Sequence, residues 1–299
     1  MTGPTGPADR LPDVSDLTRV VALLDRGVVP VDTPVLRGDD LGVIRGDGIF
    51  ETMHVRDGRA WLLDAHLGRM AQSAERTELT LPPPAALVEL VGLTLDGWPA
   101  RVEGVLRLIC TRGPEGADTP TVYAMVVPVP EGNVRARRDG VSVVTATLGF
   151  PARLRPETPW LLGGAKTLSY AVNMASLRWA KSVGADDVLW LSSDGFALEA
   201  PTSTLVWLDG TTLRTVPPAQ TGVLAGTTAT HLLAHAGELG LGTGEGFVTP
   251  GELAGTGGAW FTSSVRGLAA IRTLDGAPMP YDPELTDRIR ELLGYALPD

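Results

Sequence analysis

Gly163-Gly164-Ala165-Lys166-Thr167-Leu168-Ser169-Tyr170 is the stretch around which this chain is organised. Two glycines make a flexible turn, and the lysine after them stands at the mouth of a segment in which Leu168, Ala171, Val172, Ala175 and Trp179 recur at helical spacing. That spacing predicts a helix with one buried apolar stripe and Lys166 in its first turn. A lysine at a helix start is ordinarily a solvated charge, so its meaning depends on what the rest of the chain sets around it.

With 299 residues and 43% apolar content, the chain can bury one large core or two ordinary ones, and two domains are expected. The net charge of −10, with acidic residues spread along the chain, argues against nucleic acid or an anionic membrane as the main partner. The single cysteine, Cys110, cannot form an intramolecular disulfide and ends the apolar run Val105 to Ile109, which suits a buried structural thiol in a reducing cytoplasm. No run reaches the roughly 18 apolar residues of a membrane span. The opening residues, rich in Pro, Gly and Asp, have no signal-peptide core, and 1–15 read as a disordered tail.

The first half, 16–127, reads as a smaller α/β domain. Leu17 to Leu24 suits a strand closed by Asp25-Arg26-Gly27, and Gly48 to Val55 with Ala60 to Leu63 suits a hairpin on Asp57-Gly58. Asp64 is the expected N-cap of a helix that buries Leu67, Met70, Ala71, Ala74 and Leu79 and stops at Pro82-Pro83-Pro84, with His66 and Arg69 sharing a face. Ala85 to Leu95 reads as a helix, and Val102 to Thr111 and Thr121 to Val127 as strands. Pro128 to Asp139 breaks the apolar pattern and is taken as the interdomain linker, leaving 140–299 as a larger α/β domain. There, strands are expected at Val141 to Leu148, Asp187 to Leu191, Phe196 to Glu199, Leu205 to Leu208, Leu213 to Val216 and Ala259 to Thr262. Helices are expected at Gly226 to Leu239 and Pro283 to Tyr295.

Three groups could carry chemistry. Lys166 is followed by Glu199 at the end of an apolar strand, where an acid is unusual. Leu224-Ala225-Gly226-Thr227-Thr228 puts two hydroxyls at a helix N-terminus, which suits either an anion or an ordinary threonine cap. Phe261-Thr262-Ser263-Ser264 is an anion-binding turn or a polar loop.

Together with Arg45 to Thr52 (Arg-Gly-Asp-Gly-Ile-Phe-Glu-Thr), His66 to Ser73 (His-Leu-Gly-Arg-Met-Ala-Gln-Ser) and Gly184 to Asp187, these motifs in this order resemble the class IV aminotransferases, from about Val29 to Leu274. That family comprises the fold-type IV pyridoxal 5′-phosphate (PLP) enzymes. The resemblance implies an α/β (α+β) fold of two domains with the cofactor at their interface, and a homodimer. It implies that Lys166 holds PLP covalently and moves protons, that Glu199 pairs with the pyridine nitrogen, and that Arg69, Thr228, Ser264 and the N–H of Thr227 grip the phosphate. Where the family often has Asn and Arg, this chain has Thr204 and Ala229, so those contacts differ.

Within the family, the tyrosine of branched-chain aminotransferases is replaced by Val105, and the Arg-x-His of D-amino acid transaminases is missing after Arg112-Gly113. Gly104 to Arg107, Ala165 to Tyr170 and Glu199 to Thr204 are most similar to aminodeoxychorismate lyases. The resemblance therefore implies conversion of 4-amino-4-deoxychorismate to 4-aminobenzoate and pyruvate, with Arg45, Arg107 and Arg112 as candidates for the substrate carboxylates. A class IV aminotransferase acting on branched-chain or D-amino acids is the alternative, and a non-catalytic vitamin-B6-binding protein a third reading.

Overall fold

The computed structural model describes residues 19–295. Six strands make an all-antiparallel sheet: β1 (Val20–Leu23), β2 (Gly27–Val29), β3 (Gly48–Arg56), β4 (Arg59–Ala60), β5 (Gly104–Thr111) and β6 (Thr121–Pro128), in the order β2-β1-β6-β5-β3-β4. The β3–β4 hairpin closes on Asp57 and Gly58, both with left-handed backbone (φ 51° and 69°), the geometry that matches strand twist in a two-residue turn. In β3 the period of two puts Ile49, Glu51, Met53 and Val55 on a fully buried face, and Phe50 and Thr52 on the other. Helices α1 (Leu41–Ile44), α2 (Leu63–Arg76) and α3 (Pro84–Asp96) follow, with α2 packed on β3 and α3 on β1 and β6 around Met53, Met70, Leu90 and Leu106.

After α4 (Glu131–Asp139), a mixed sheet is built from β7 (Val141–Thr147), β8 (Asp187–Leu191), β9 (Thr204–Asp209), β10 (Thr212–Thr215), β11 (Gly242–Glu245), β12 (Ala259–Ser263), β13 (Gly267–Leu274) and β14 (Ala277–Pro278). Its order is β11-β10-β9-β12-β13-β7-β8, with β14 paired to β13; β7 is parallel to both β8 and β13, and β10 to β11. Its helices are α5 (Ala171–Ser182), α6 (Pro218–Thr221), α7 (Thr227–His235), α8 (Pro250–Leu253) and α9 (Pro283–Leu292). One core, around Leu189, Leu205, Phe261 and Ile271, lies on one side of this sheet, and a second, around Leu232, Trp260 and Ile289, joins it to α7 and α9. No helix among the described residues is long and apolar enough to cross a membrane.

Several expectations change. The tail, 1–15, lies outside the described residues, as does the start of the Leu17 to Leu24 strand. Asp64 is not the N-cap of α2: Leu62 takes a left-handed conformation (φ 57°), ends the strand pairing at Ala60 and lets the helix begin at Leu63. The buried face of α2 is also not the expected apolar stripe, because Ala71 is exposed and His66, Arg69 and Ser73 are buried beside Met70 and Ala74. The stretch read as a linker, 128–139, contains α4, which packs against β13. The stripe expected after Lys166 is on the surface: Val172 is 63% and Trp179 44% exposed, and α5 buries Ala180 instead. Leu168 belongs to no helix, because its N–H donates to Gly48 O (2.8 Å). Phe196 to Glu199 runs back along β8, bonded at Trp190, but makes only the isolated bridge from Ala197 to Leu191 and no ladder.

Candidate active site

Lys166 does not sit in a helix. Its segment is extended against β3: Phe50 N–H donates to Lys166 O (3.1 Å), and Thr167 bridges Ile49. This close approach requires Gly48, since a Cβ there would meet Cys110 O and Leu168 Cδ1 at 2.7 Å. From the other side Lys166 N–H donates to Ser73 Oγ (3.0 Å), whose own hydroxyl donates to Arg69 O (3.1 Å). The Gly-Gly turn is fixed rather than flexible. Gly164 N–H donates to Gly222 O (2.8 Å), Arg76 donates to Gly163 O, and Gly163 packs against Gly222. The lysine amine is thereby aimed into a cavity of about 670 Å³ between the two sheets. There it donates to Tyr170 OH (3.2 Å) and lies 4.4 Å from the Phe50 ring centroid.

The same cavity is lined by Arg69, Arg107, Glu199, Thr227, Thr228 and Ser264. The Glu199 carboxylate is buried, accepting from Leu224 N–H (3.1 Å) and lying 3.4 Å from Arg155 Nη1. Burial pushes this carboxyl above its ordinary pKa, and Arg155 and Leu224 N–H only partly counter it. Helix α7 begins after Gly226, its N-cap, with no side-chain cap, and the buried Thr228 hydroxyl has no hydrogen-bond partner among the described residues. A free helix N-terminus beside an unpartnered hydroxyl is suited to an anion.

Behind it is a buried ionic cluster. Glu51 accepts two bonds from the Arg69 guanidinium (2.8 and 2.7 Å) and one from His66 Nδ1–H (2.7 Å). Burial alone would raise the Glu51 carboxyl, but Arg69 and His66 override it and hold it at about 2. Burial lowers the His66 pKa; its Nδ1 faces the Glu51 carboxylate, and its Nε2 lies within hydrogen-bond distance of the hydroxyls of Ser264 (3.1 Å) and Thr227 (3.2 Å). Arg69 Nη1 also donates to Ala225 O (3.1 Å), tying α2 to the start of α7.

The three arginines considered for substrate separate. Arg107 lies opposite Thr52 on β5, faces the cavity and makes no hydrogen bond or ion pair among the described residues. Arg112 is occupied by Asp47 (2.7 Å), Thr77 O and Glu78 O, and Arg45 is exposed, 4.0 Å from Glu115. Both line a separate hollow of about 390 Å³ and not the main cavity. Glu51, Ser73 and Arg155 are site residues that the sequence motifs do not single out. Glu51 was detectable: it occupies an apolar register position of β3, where a carboxylate needs buried partners. Arg155, in a proline-punctuated loop, carried no such signal.

Residues 48–274 match the family described as Amino-transferase class IV. The chain belongs to the class IV aminotransferases. It is 41% identical over 93% of its length to the bifunctional aminodeoxychorismate lyase / D-amino acid transaminase of Mycobacterium tuberculosis, covering 99% of that protein. Among solved structures it is similar to the PLP-bound form of a hypothetical aminotransferase from Mycobacterium tuberculosis, with 42% identity, 92% of this chain and 97% of that one covered, and a TM-score of 0.88. It is also similar to the fold IV-transaminase CpuTA1 from Curtobacterium pusillum, with 35% identity, the same coverage and a TM-score of 0.87. This class IV aminotransferase is therefore a PLP-dependent enzyme with the two-sheet α/β fold of its family. The residues present suit that cofactor: an amine for its aldehyde, a buried carboxylate for its ring nitrogen, and an uncapped helix with an unpartnered hydroxyl for its phosphate.

Proposed function

We propose that this enzyme is an aminodeoxychorismate lyase, converting 4-amino-4-deoxychorismate to 4-aminobenzoate and pyruvate in the cytoplasm on a route to folate. In this reading Lys166 holds PLP; Glu199 bonds the pyridine nitrogen; and Arg69, Thr228, Ser264 and the N–H of Thr227 hold the phosphate. Bound PLP supplies an electron sink conjugated to the substrate amine. Lys166, bonded to Tyr170 OH, would be the base that removes the proton from the amine-bearing carbon of the substrate. The neighbouring C–O bond then breaks, the ring aromatises, and the departing enolpyruvate takes up a proton to become pyruvate. The observation that carries this reading is Arg107, an unpaired guanidinium in the cavity that suits a substrate carboxylate. Phe50 and Phe150 in the lining suit the six-membered ring.

A second reading, D-amino acid transaminase, rests on the bifunctional name of the Mycobacterium tuberculosis relative. Both activities need the same proton abstraction and differ in what leaves. The test is incubation of holoenzyme with 4-amino-4-deoxychorismate and no keto acid. Equal yields of 4-aminobenzoate and pyruvate are expected. No 4-aminobenzoate, together with amine transfer from D-alanine to 2-oxoglutarate, would replace the lyase by the transaminase.

The same reading takes 16–127 and 140–299 as two domains around the cofactor and the molecule as a homodimer. Support for the dimer comes from apolar side chains left on the surface, among them Trp160, Val172 and Val183. Light scattering at twice the chain mass is expected, and a monomer would remove this part of the reading.

A further inference from the structure

Three consecutive carbonyls, from Ser264 to Arg266, are each held by a side chain from elsewhere in the fold. Tyr295 OH donates to Ser264 O, Arg137 Nη2 to Val265 O (2.9 Å) and Arg137 Nε to Arg266 O (3.3 Å). With its carbonyls so held, this turn lines the cavity and has the Ser264 hydroxyl against Thr227 and His66.

Tyr295, four residues from the end of the chain, is fully buried and closely confined. Its ring centroid lies 4.8 Å from that of His54, 5.3 Å from the Arg56 guanidinium and 4.7 Å from that of Arg137. Gly267 makes room for it, since a Cβ there would come within 2.6 Å of the ring. Arg56 fixes the chain just before it by donating to Leu293 O (2.8 Å) and Gly294 O (2.6 Å). Arg137 is held in turn by Glu103 (3.2 Å), which also bonds His54 (3.1 Å). The first sheet, α4 and the C-terminal segment thus converge on one turn of the second sheet.

We infer that Tyr295, with Arg137, is a positioning residue for the cofactor phosphate: its hydroxyl sets the Ser264 turn in the orientation that grips the phosphate. This rests on the assignment of Ser264 to the phosphate made above. The part of the ligand recognised is the phosphate monoester alone, so the preference of the protein for PLP over pyridoxal, which lacks the phosphate, isolates the effect.

The experiment strips holoenzyme of cofactor and titrates PLP and pyridoxal back into wild type, Tyr295→Phe and Ser264→Ala. Losing one hydrogen bond while keeping the ring is expected to lower the preference for PLP about three- to tenfold in Tyr295→Phe, and Ser264→Ala should lower it in the same direction. If Tyr295→Phe weakens both ligands alike, or only lowers the melting temperature, Tyr295 is structural and the inference falls while the phosphate assignment stands. If Ser264→Ala leaves the preference unchanged, the phosphate assignment itself fails and the inference with it. Should Tyr295→Phe not fold, Arg137→Lys, which keeps the charge beside Glu103 but loses the fork on Val265 and Arg266, is expected to show the same loss of preference. An unchanged preference there overturns the proposal.

Discussion

Replacing Glu51 by Gln removes a single charge from the cluster behind the cavity while keeping the side-chain shape. A carboxyl held at about 2 in the folded protein, against 4.5 when exposed, contributes about 3 kcal/mol of stability at neutral pH. Removing one partner of a buried ion pair gives a similar figure, about 3–5 kcal/mol, because Arg69 would be left without its counter-charge. Since the folded-state value is the lower one, this stability is complete above pH 4.5 and is lost as the pH falls through 2. Urea denaturation of the apoprotein is the assay, because bound cofactor would add its own binding energy to the folded state. At pH 7 Glu51→Gln should lose about 3 kcal/mol. Between pH 4.5 and 3 the gap between variant and wild type should shrink. A loss under about 1 kcal/mol at pH 7, or a gap that is constant with pH, would refute the assignment of Glu51 as the ionised centre of this cluster.

Lys166→Ala should abolish the visible band of the lysine-bound cofactor and lower turnover by about 10²–10⁴-fold, the range for losing a positioned proton-transfer group; a retained band would mean that another lysine holds the cofactor. Arg107→Met should raise KM for a carboxylate substrate by about 10- to 100-fold, the value of a charged hydrogen bond, with PLP affinity unchanged. A fall in kcat alone would remove Arg107 from substrate binding. Cys110 is fully buried and its thiol is pushed up to about 12 by desolvation, so a thiol reagent at pH 8 should modify it only after unfolding. Rapid labelling of native protein would contradict its burial.

The sequence motifs and the geometry meet most closely at the cavity, where Lys166, Arg69, Glu199, Thr227, Thr228 and Ser264 come together from five separate stretches. These were legible because chemistry restricts residue type and order more tightly than it restricts packing. Packing was less legible. The α5 stripe was read as buried because periodicity reveals a face but not what covers it. Strand β13 went unread because Leu268, Ala269, Ala270 and Ile271 are buried on both faces, so the run has no alternation to betray a strand. The arginines show a related limit. Arg45, Arg107 and Arg112 are alike as charges in a sequence, and only their partners separate the unpaired one from the two outside the cavity. Glu51 is marked by its register in β3, but its role is to hold Arg69 and His66 rather than to touch a ligand, and no motif for ligand contact points to it.

By chain order Lys166 falls in the second half, yet its backbone is bonded to β3 and, through Ser73, to α2 of the first. Mechanically it belongs to the first sheet, while Glu199 and the N-terminus of α7 belong to the second. In the reading proposed above, a cofactor joined to Lys166 at one end and held by Glu199 and α7 at the other would act as a rivet through a seam. Its binding energy would then serve as cohesion between the halves as well as attachment to the enzyme.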